Sequence, residues 1–260
     1  MGISLKKTLA AVVTGALIAS TLAMPISAKE TAGKEYMNVG YAFRRGLVIE
    51  ELDLSKVTHL NYSFGLIYNR EVPPDPKAEL NPDCATPENF DDALLHTIYL
   101  PEDAKSDLKK LPALKAAKNP DLKVMLSVGG YNARGFSDLA STEAGRKAFA
   151  KSCKAVIDEY QLAGIDLDWE YPTIDWANIK VRPEDPQNFT LLLQEVRNAI
   201  GKDKLLSIAG SANLNFTETW TEFDKIMPIL DYINIMTYDF QYGTCYYGSA
   251  LYASKKWPTA

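Results

Sequence analysis

Apolar residues along this chain fall into short, nearly unbroken runs, separated by longer stretches in which they recur every three or four positions. The runs at 37–43, 59–66, 123–128, 164–169, 205–210 and 232–238 predict six strands. Several are apolar on both faces, as parallel strands covered from either side should be. Between them, 103–118, 142–161 and 186–200 put apolar residues on one face and charges on the other, which predicts three helices, the first closed by Pro120. Residues 68–87, with Pro73, Pro74, Pro76, Pro82 and Pro87, predict an irregular excursion between the second strand and its helix. Strand and helix alternate without a glycine-rich dinucleotide fingerprint. That favours an α/β chain folded as a (β/α)8 TIM-type barrel over a doubly wound sheet.

Residues 1–28 have a different character: Lys6 and Lys7 precede an apolar stretch at 9–24 that ends in Pro25, Ile26, Ser27 and Ala28. The stretch is short of the roughly 20 residues a bilayer span needs, and small residues follow it. It predicts a secretory signal cleaved after Ala28, a single barrel domain over 29–260, and a secreted protein, extracellular or periplasmic, with no membrane association after cleavage. Cleavage would take the formal charge from −5 to −7. Acidic and basic residues are interspersed, so no basic stripe exists to neutralise a phosphate backbone, and nucleic acid is not an expected partner. A monomer is expected. Cys84, Cys153 and Cys245 are too few and too scattered for a disulfide framework or a zinc site; one disulfide with one free thiol, or three free thiols, are both open.

The fourth predicted strand concentrates the chemistry. It reads Gly164-Ile165-Asp166-Leu167-Asp168-Trp169-Glu170-Tyr171-Pro172, and because strand side chains alternate, Asp166, Asp168 and Glu170 share one face. Neighbours on that face lie roughly 7 Å apart, where two full charges repel by about 2 kcal/mol at an effective dielectric of about 20. A fold gains nothing from such a row, whereas a catalyst uses coupled carboxyls to keep one proton near neutral pH. A solvated strand edge or a metal site built from the three carboxylates are the alternatives.

The Asp166-x-Asp168-x-Glu170 row in this setting resembles the signature of the family 18 glycoside hydrolases, the chitinases and their relatives. Ser127-Val128-Gly129-Gly130 is similar to that family's third-strand motif, and Met236-Thr237-Tyr238-Asp239 to its sixth. Gly40-Tyr41-Ala42-Phe43 and Asn61-Tyr62-Ser63-Phe64 resemble strands one and two, and 182–192 the start of the fourth helix. The resemblance runs from about Tyr36 to the last residue. It implies retaining hydrolysis in which the acetamido group of the substrate attacks, one of the exceptions to the two-carboxylate scheme. Glu170 would be acid and base, Asp168 would orient the acetamido group, and Asp166 would share a proton with Asp168. Tyr238 would donate to the acetamido carbonyl, Asp239 would bind the sugar, and Met236, Tyr41, Tyr171, Gly129 and Gly130 would complete the substrate site. Chitin or N-acetylglucosamine oligosaccharides are the implied partners, with no cofactor and no metal. For Tyr41 and Tyr171 a plain core role competes evenly with sugar stacking; for Phe43 and Trp169 core is favoured. Ser127 has no histidine partner, so a Ser-His-Asp hydrolase is disfavoured.

Two departures from the family stand out. Ala163 occupies a position where members usually carry an acidic residue. Only six βα units are expected where eight close a barrel, so a C-terminally truncated chain is expected, without the aromatic platform of strand eight. An endo-acting chitinase is the leading expectation. Alternatives are an endo-β-N-acetylglucosaminidase acting on glycoproteins, a carbohydrate-binding relative without catalysis, against which the presence of Glu170 argues, and an inactive truncated product.

Overall fold

In a computed structural model, which describes residues 36–71 and 91–239, the six apolar runs become six parallel strands. They are β1 (Val39–Phe43), β2 (His59–Ile67), β4 (Lys123–Gly129), β5 (Gly164–Asp168), β6 (Leu205–Ser211) and β7 (Tyr232–Met236), hydrogen-bonded in the order β1-β2-β4-β5-β6-β7. A two-residue strand, β3 (Ile98–Tyr99), pairs antiparallel with the end of β2; it was not expected, being too short to leave a period. The unbroken parallel order is that of a (β/α)8 barrel, of which the described residues form part. The predicted signal at 1–28, most of the proline-rich excursion, Cys84 and Cys245 lie outside the described residues. Cys153 is a buried free thiol, pushed up by burial.

The three expected helices form as α1 (Glu102–Lys118), α3 (Glu143–Tyr160) and α4 (Asp185–Ile200). In α3 the residues Phe149, Ala150, Cys153, Val156, Ile157 and Tyr160 are buried, one stripe at three- and four-residue spacing. Thr142 caps its start by accepting from the Gly145 amide at 3.0 Å, and Gln161 ends it in the left-handed conformation. Two links lack a full helix. Between β1 and β2 only single turns at Ile49–Glu51 and Leu54–Lys56 occur, plugging the barrel wall with buried Ile49 and Leu54. Between β6 and β7 lie a five-residue π turn at Phe216–Trp220, the short α5 (Phe223–Ile226) and one further turn. A short α2 (Phe136–Ala140) precedes α3. All six expected parallel strands are present among the described residues; the links after β1 and β6 are too short or too irregular in apolar spacing to bury a long helical stripe.

Trp169 is core, as favoured from sequence: it is 1% exposed and stacks on Phe136 at 5.2 Å. At the lower end of the barrel Arg197 ties α4 to two links. It donates to the carbonyls of Ile229, Gly201 and Lys204 and, at 2.6 Å, to Asp231, which also accepts from the Leu206 amide. Arg197→Ala leaves three carbonyls without this donor and Asp231 with the Leu206 amide alone, and is expected to cost roughly 2–3 kcal/mol. Urea unfolding checks it; a midpoint unchanged from wild type would mean water replaces the guanidinium without loss.

Candidate active site

Asp166 sits at the centre of the barrel, fully buried, because its register partners Ser127 on β4 and Ser207 on β6 point inward with it as one interior layer. Four side chains from four different strands converge on its carboxylate. Tyr41 (2.8 Å) and Ser127 (2.7 Å) donate to Oδ2; Ser207 (2.5 Å) and Asn234 (3.2 Å) donate to Oδ1. Burial pushes the Asp166 carboxyl above its ordinary range and these hydrogen bonds hold it back.

Asp168, the last residue of β5, is also buried, and its Oδ1 has no hydrogen-bonding partner among the described residues. Burial first, then the charges of Glu170 and Asp166, push its carboxyl well above the usual carboxylate range, and it shares a hydrogen bond with Glu170. The oxygens of Asp166 are already taken by donors from β1, β4, β6 and β7, and Asp168 pairs outward. Glu170 stands two residues beyond the end of β5 and is partly exposed. Burial raises its carboxyl, hydrogen bonds from Tyr171 and Asp168 pull it back, and the charge of Asp239 raises it again. Among the described residues no group of His, Cys, Asp or Glu side chains is placed to hold a metal ion.

Above Asp168 opens a cavity of about 290 Å³, lined by Tyr41, Phe43, Ser63, Phe64, Asp168, Ala209, Asn234, Ile235, Met236 and Tyr238. A mostly apolar wall with a few converging polar groups is the usual form of a small-molecule site. Tyr238 is 56% exposed, and burial together with the charges of Asp168, Glu170 and Asp239 raises its phenol. The structure therefore brings Asp168, Glu170, Tyr238, Asp239 and Met236 to one mouth, at the carboxyl ends of the strands where barrel enzymes work.

Other expected site residues take different places. Tyr41 lines the cavity, but its hydroxyl is committed to Asp166. Phe43, favoured as core, is 50% exposed and packs edge-on against Phe64 at 6.2 Å. Tyr171 is absent from the cavity wall and packs among Trp176, Phe216 and Trp220, at 6.4, 6.4 and 5.3 Å. Gly129 and Gly130 do not line the cavity either; they let β4 approach β5. Gly129, at φ +122°, would place a Cβ 2.1 Å from the Asp168 carbonyl oxygen, and the Gly130 amide donates to that oxygen at 2.9 Å.

Residues 33–260 match the Glycosyl hydrolases family 18. The chain belongs to this family. Among curated relatives, the family 18 chain is 37% identical over 247 residues to Chitinase A1 of Niallia circulans, covering 80% of its own length and 35% of that protein. Among solved structures it resembles Chitinase ChiA74 from Bacillus thuringiensis, with a TM-score of 0.69 and 36% identity over 84% of this chain and 42% of that one. It also resembles a family 18 N-acetylglucosaminidase from Paenibacillus barengoltzii, with a TM-score of 0.65, 37% identity, and coverage of 85% and 59%. The family 18 chain thus spans less than two thirds of each of these relatives.

Sequence reasoning on the family 18 chain missed Ser207 and Asn234 as partners of Asp166, and Phe64 and Ala209 as cavity wall. One signal was present: a serine at 207 and an asparagine at 234 each interrupt an apolar strand, where a polar side chain needs a buried partner.

Proposed function

We propose that this chain carries the reacting centre of an endo-acting chitinase that hydrolyses β-1,4-linked N-acetylglucosamine polymers with retention, and that residues 1–28 direct its export. The observation that carries the reading is the graded row along β5 and just past its end: Asp166 saturated with hydrogen bonds, Asp168 bordering the cavity with an oxygen that has no partner among the described residues, Glu170 at its mouth. In this reading the acetamido N–H of the bound sugar donates to Asp168, and Tyr238 donates to the acetamido carbonyl. Glu170 gives its proton to the glycosidic oxygen. The acetamido oxygen then bonds to the anomeric carbon as the bond to the leaving sugar breaks, and that sugar departs with the bonding electron pair and the proton. The cyclic cation formed is stabilised by Asp168. Water next attacks the anomeric carbon and loses a proton to Glu170, which restores the acetamido group and the acid.

The test is incubation of the chain with N-acetylglucosamine oligomers while proton NMR follows the new reducing ends. Early products in the β configuration are expected. The α configuration first would sink the substrate-assisted route, and no cleavage of oligomers beside cleavage of a glycoprotein glycan would transfer the activity to that substrate class.

A further inference from the structure

We propose that Asp185, the first residue of α4, is a positioning residue for Glu170: its carboxylate clips together the two ends of the loop that follows the acid and holds them against α2. The inference rests on the reading of Glu170 as the acid. Asp185 is fully buried. The Ser137 hydroxyl on α2 donates to its Oδ1 at 2.9 Å, and the Arg182 amide donates to its Oδ2 at 2.7 Å. The Thr173 amide also donates to this carboxylate. Burial raises the carboxyl, and these hydrogen bonds together with the Arg182 charge hold it back. Thr173 and Arg182 stand near the two ends of the link between β5 and α4, so one carboxylate closes the neck of the loop 173–182.

The neck lies beside the acid in the chain. Tyr171 follows Glu170, its carbonyl accepts from the Ile174 amide at 3.2 Å, and Thr173 sits in that turn in the left-handed conformation, at φ +66°. Glu170 is therefore held between the end of β5 at Asp168 and the clip at Thr173. The clip is itself anchored. Ser137 is buried, and its hydroxyl also accepts from the Arg182 guanidinium at 2.7 Å; that guanidinium reaches on to Asp138, which Lys180 meets at 2.7 Å. An acid in the first turn complements the helix dipole from the surface, and burying its charge costs free energy that a solvated one avoids. What burial adds is a fixed position. Proton transfer needs the acid within hydrogen-bonding reach of the glycosidic oxygen, and a misplacement of about 1 Å can cost about 10²-fold.

The experiment compares kcat/KM of the unaltered chain and of Asp185→Asn on two chitobiosides, one that releases N-acetylglucosamine and one that releases dinitrophenolate. The sugar must be protonated as it leaves. Dinitrophenolate departs as a stable anion, so kcat/KM on it does not depend on where the acid stands. Asparagine keeps the size of aspartate but turns an NH2 group toward one of the donors, and the clip loses a contact. Asp185→Asn should lower kcat/KM roughly tenfold with the sugar leaving group and less than about twofold with dinitrophenolate. Ser137→Ala, which removes one donor, should show the same split at smaller size, and it carries the test should Asp185→Asn not fold. Equal losses on the two substrates would overturn the inference, because they mark damage to the whole site; so would no loss on either. Glu170→Gln is run beside them and should show the split more steeply. A split for Glu170→Gln without one for Asp185→Asn brings down this inference alone, whereas no split for Glu170→Gln brings down the acid role and the inference with it.

Discussion

Glu170→Gln should lower kcat on a chitooligosaccharide by about 10³-fold while leaving substrate affinity nearly intact. The amide keeps the shape and the hydrogen-bonding reach of the carboxyl but has no proton to give, and general acid-base catalysis contributes about 10²–10⁴-fold. The same carboxyl sets the pH profile of the unaltered chain. Asp168 and Glu170 share a hydrogen bond and titrate as a pair. Burial raises both, so the last proton leaves the pair above the ordinary carboxylate range, and kcat/KM falls as pH rises through that point. It also falls at low pH, where a second proton neutralises the carboxylate that stabilises the cationic intermediate. The active window is therefore displaced upward from that of two ordinary carboxyls. A steady-state pH series on wild type and variant checks both statements; a variant retaining a tenth or more of wild-type kcat would remove Glu170 from the acid role.

Gly129→Ala should be severely damaging for so small a substitution. The new methyl would stand 2.1 Å from the Asp168 carbonyl oxygen and 2.9 Å from the ring of Phe136, at a φ of +122° that L side chains rarely adopt. Backbone strain and the forced separation of β4 from β5 are each worth about 1–3 kcal/mol. A stability loss of about 4 kcal/mol is expected in chemical denaturation. Whatever folds should lose roughly a further 10²-fold in activity, because Asp168 is displaced from its working geometry. Gly46→Ala is the control: that glycine also has a positive φ, +73°, but its Cβ would meet nothing within 4 Å. Equal losses at the two positions would show that dihedral strain alone, and not the contact between strands, makes Gly129 necessary.

The acidic row has a cost for the fold. Asp166 and Asp168 are buried with carboxyls raised by desolvation. A raised carboxyl contributes most when protonated, so its contribution is lost as pH rises through its folded-state value. Neutral pH is thus unfavourable for these groups, and the residues around Asp166 offset it with hydrogen bonds. A structural purpose would be met at lower cost by apolar residues, which is the physical argument for a catalytic one.

The chain's own periodicity determined the six parallel strands, the three long helices and the alignment of three carboxyls, because these depend on spacings of two, three and four residues within one segment. Trp169 belongs with them: alternation puts it opposite the acids, hence toward the helices. The tertiary structure alone decided what each acid experiences. Tyr41, Ser127, Ser207 and Asn234 are far apart in the chain, and only the order and register of the barrel strands makes them one cage around Asp166. The same holds for Phe43, which alternation leaves free to face core or cavity, and for Tyr171, drawn into a cluster with Trp220 across the link between β6 and β7. A single strand's pattern says which residues share a face. What lies opposite that face is set by packing between segments that carry no mark of one another.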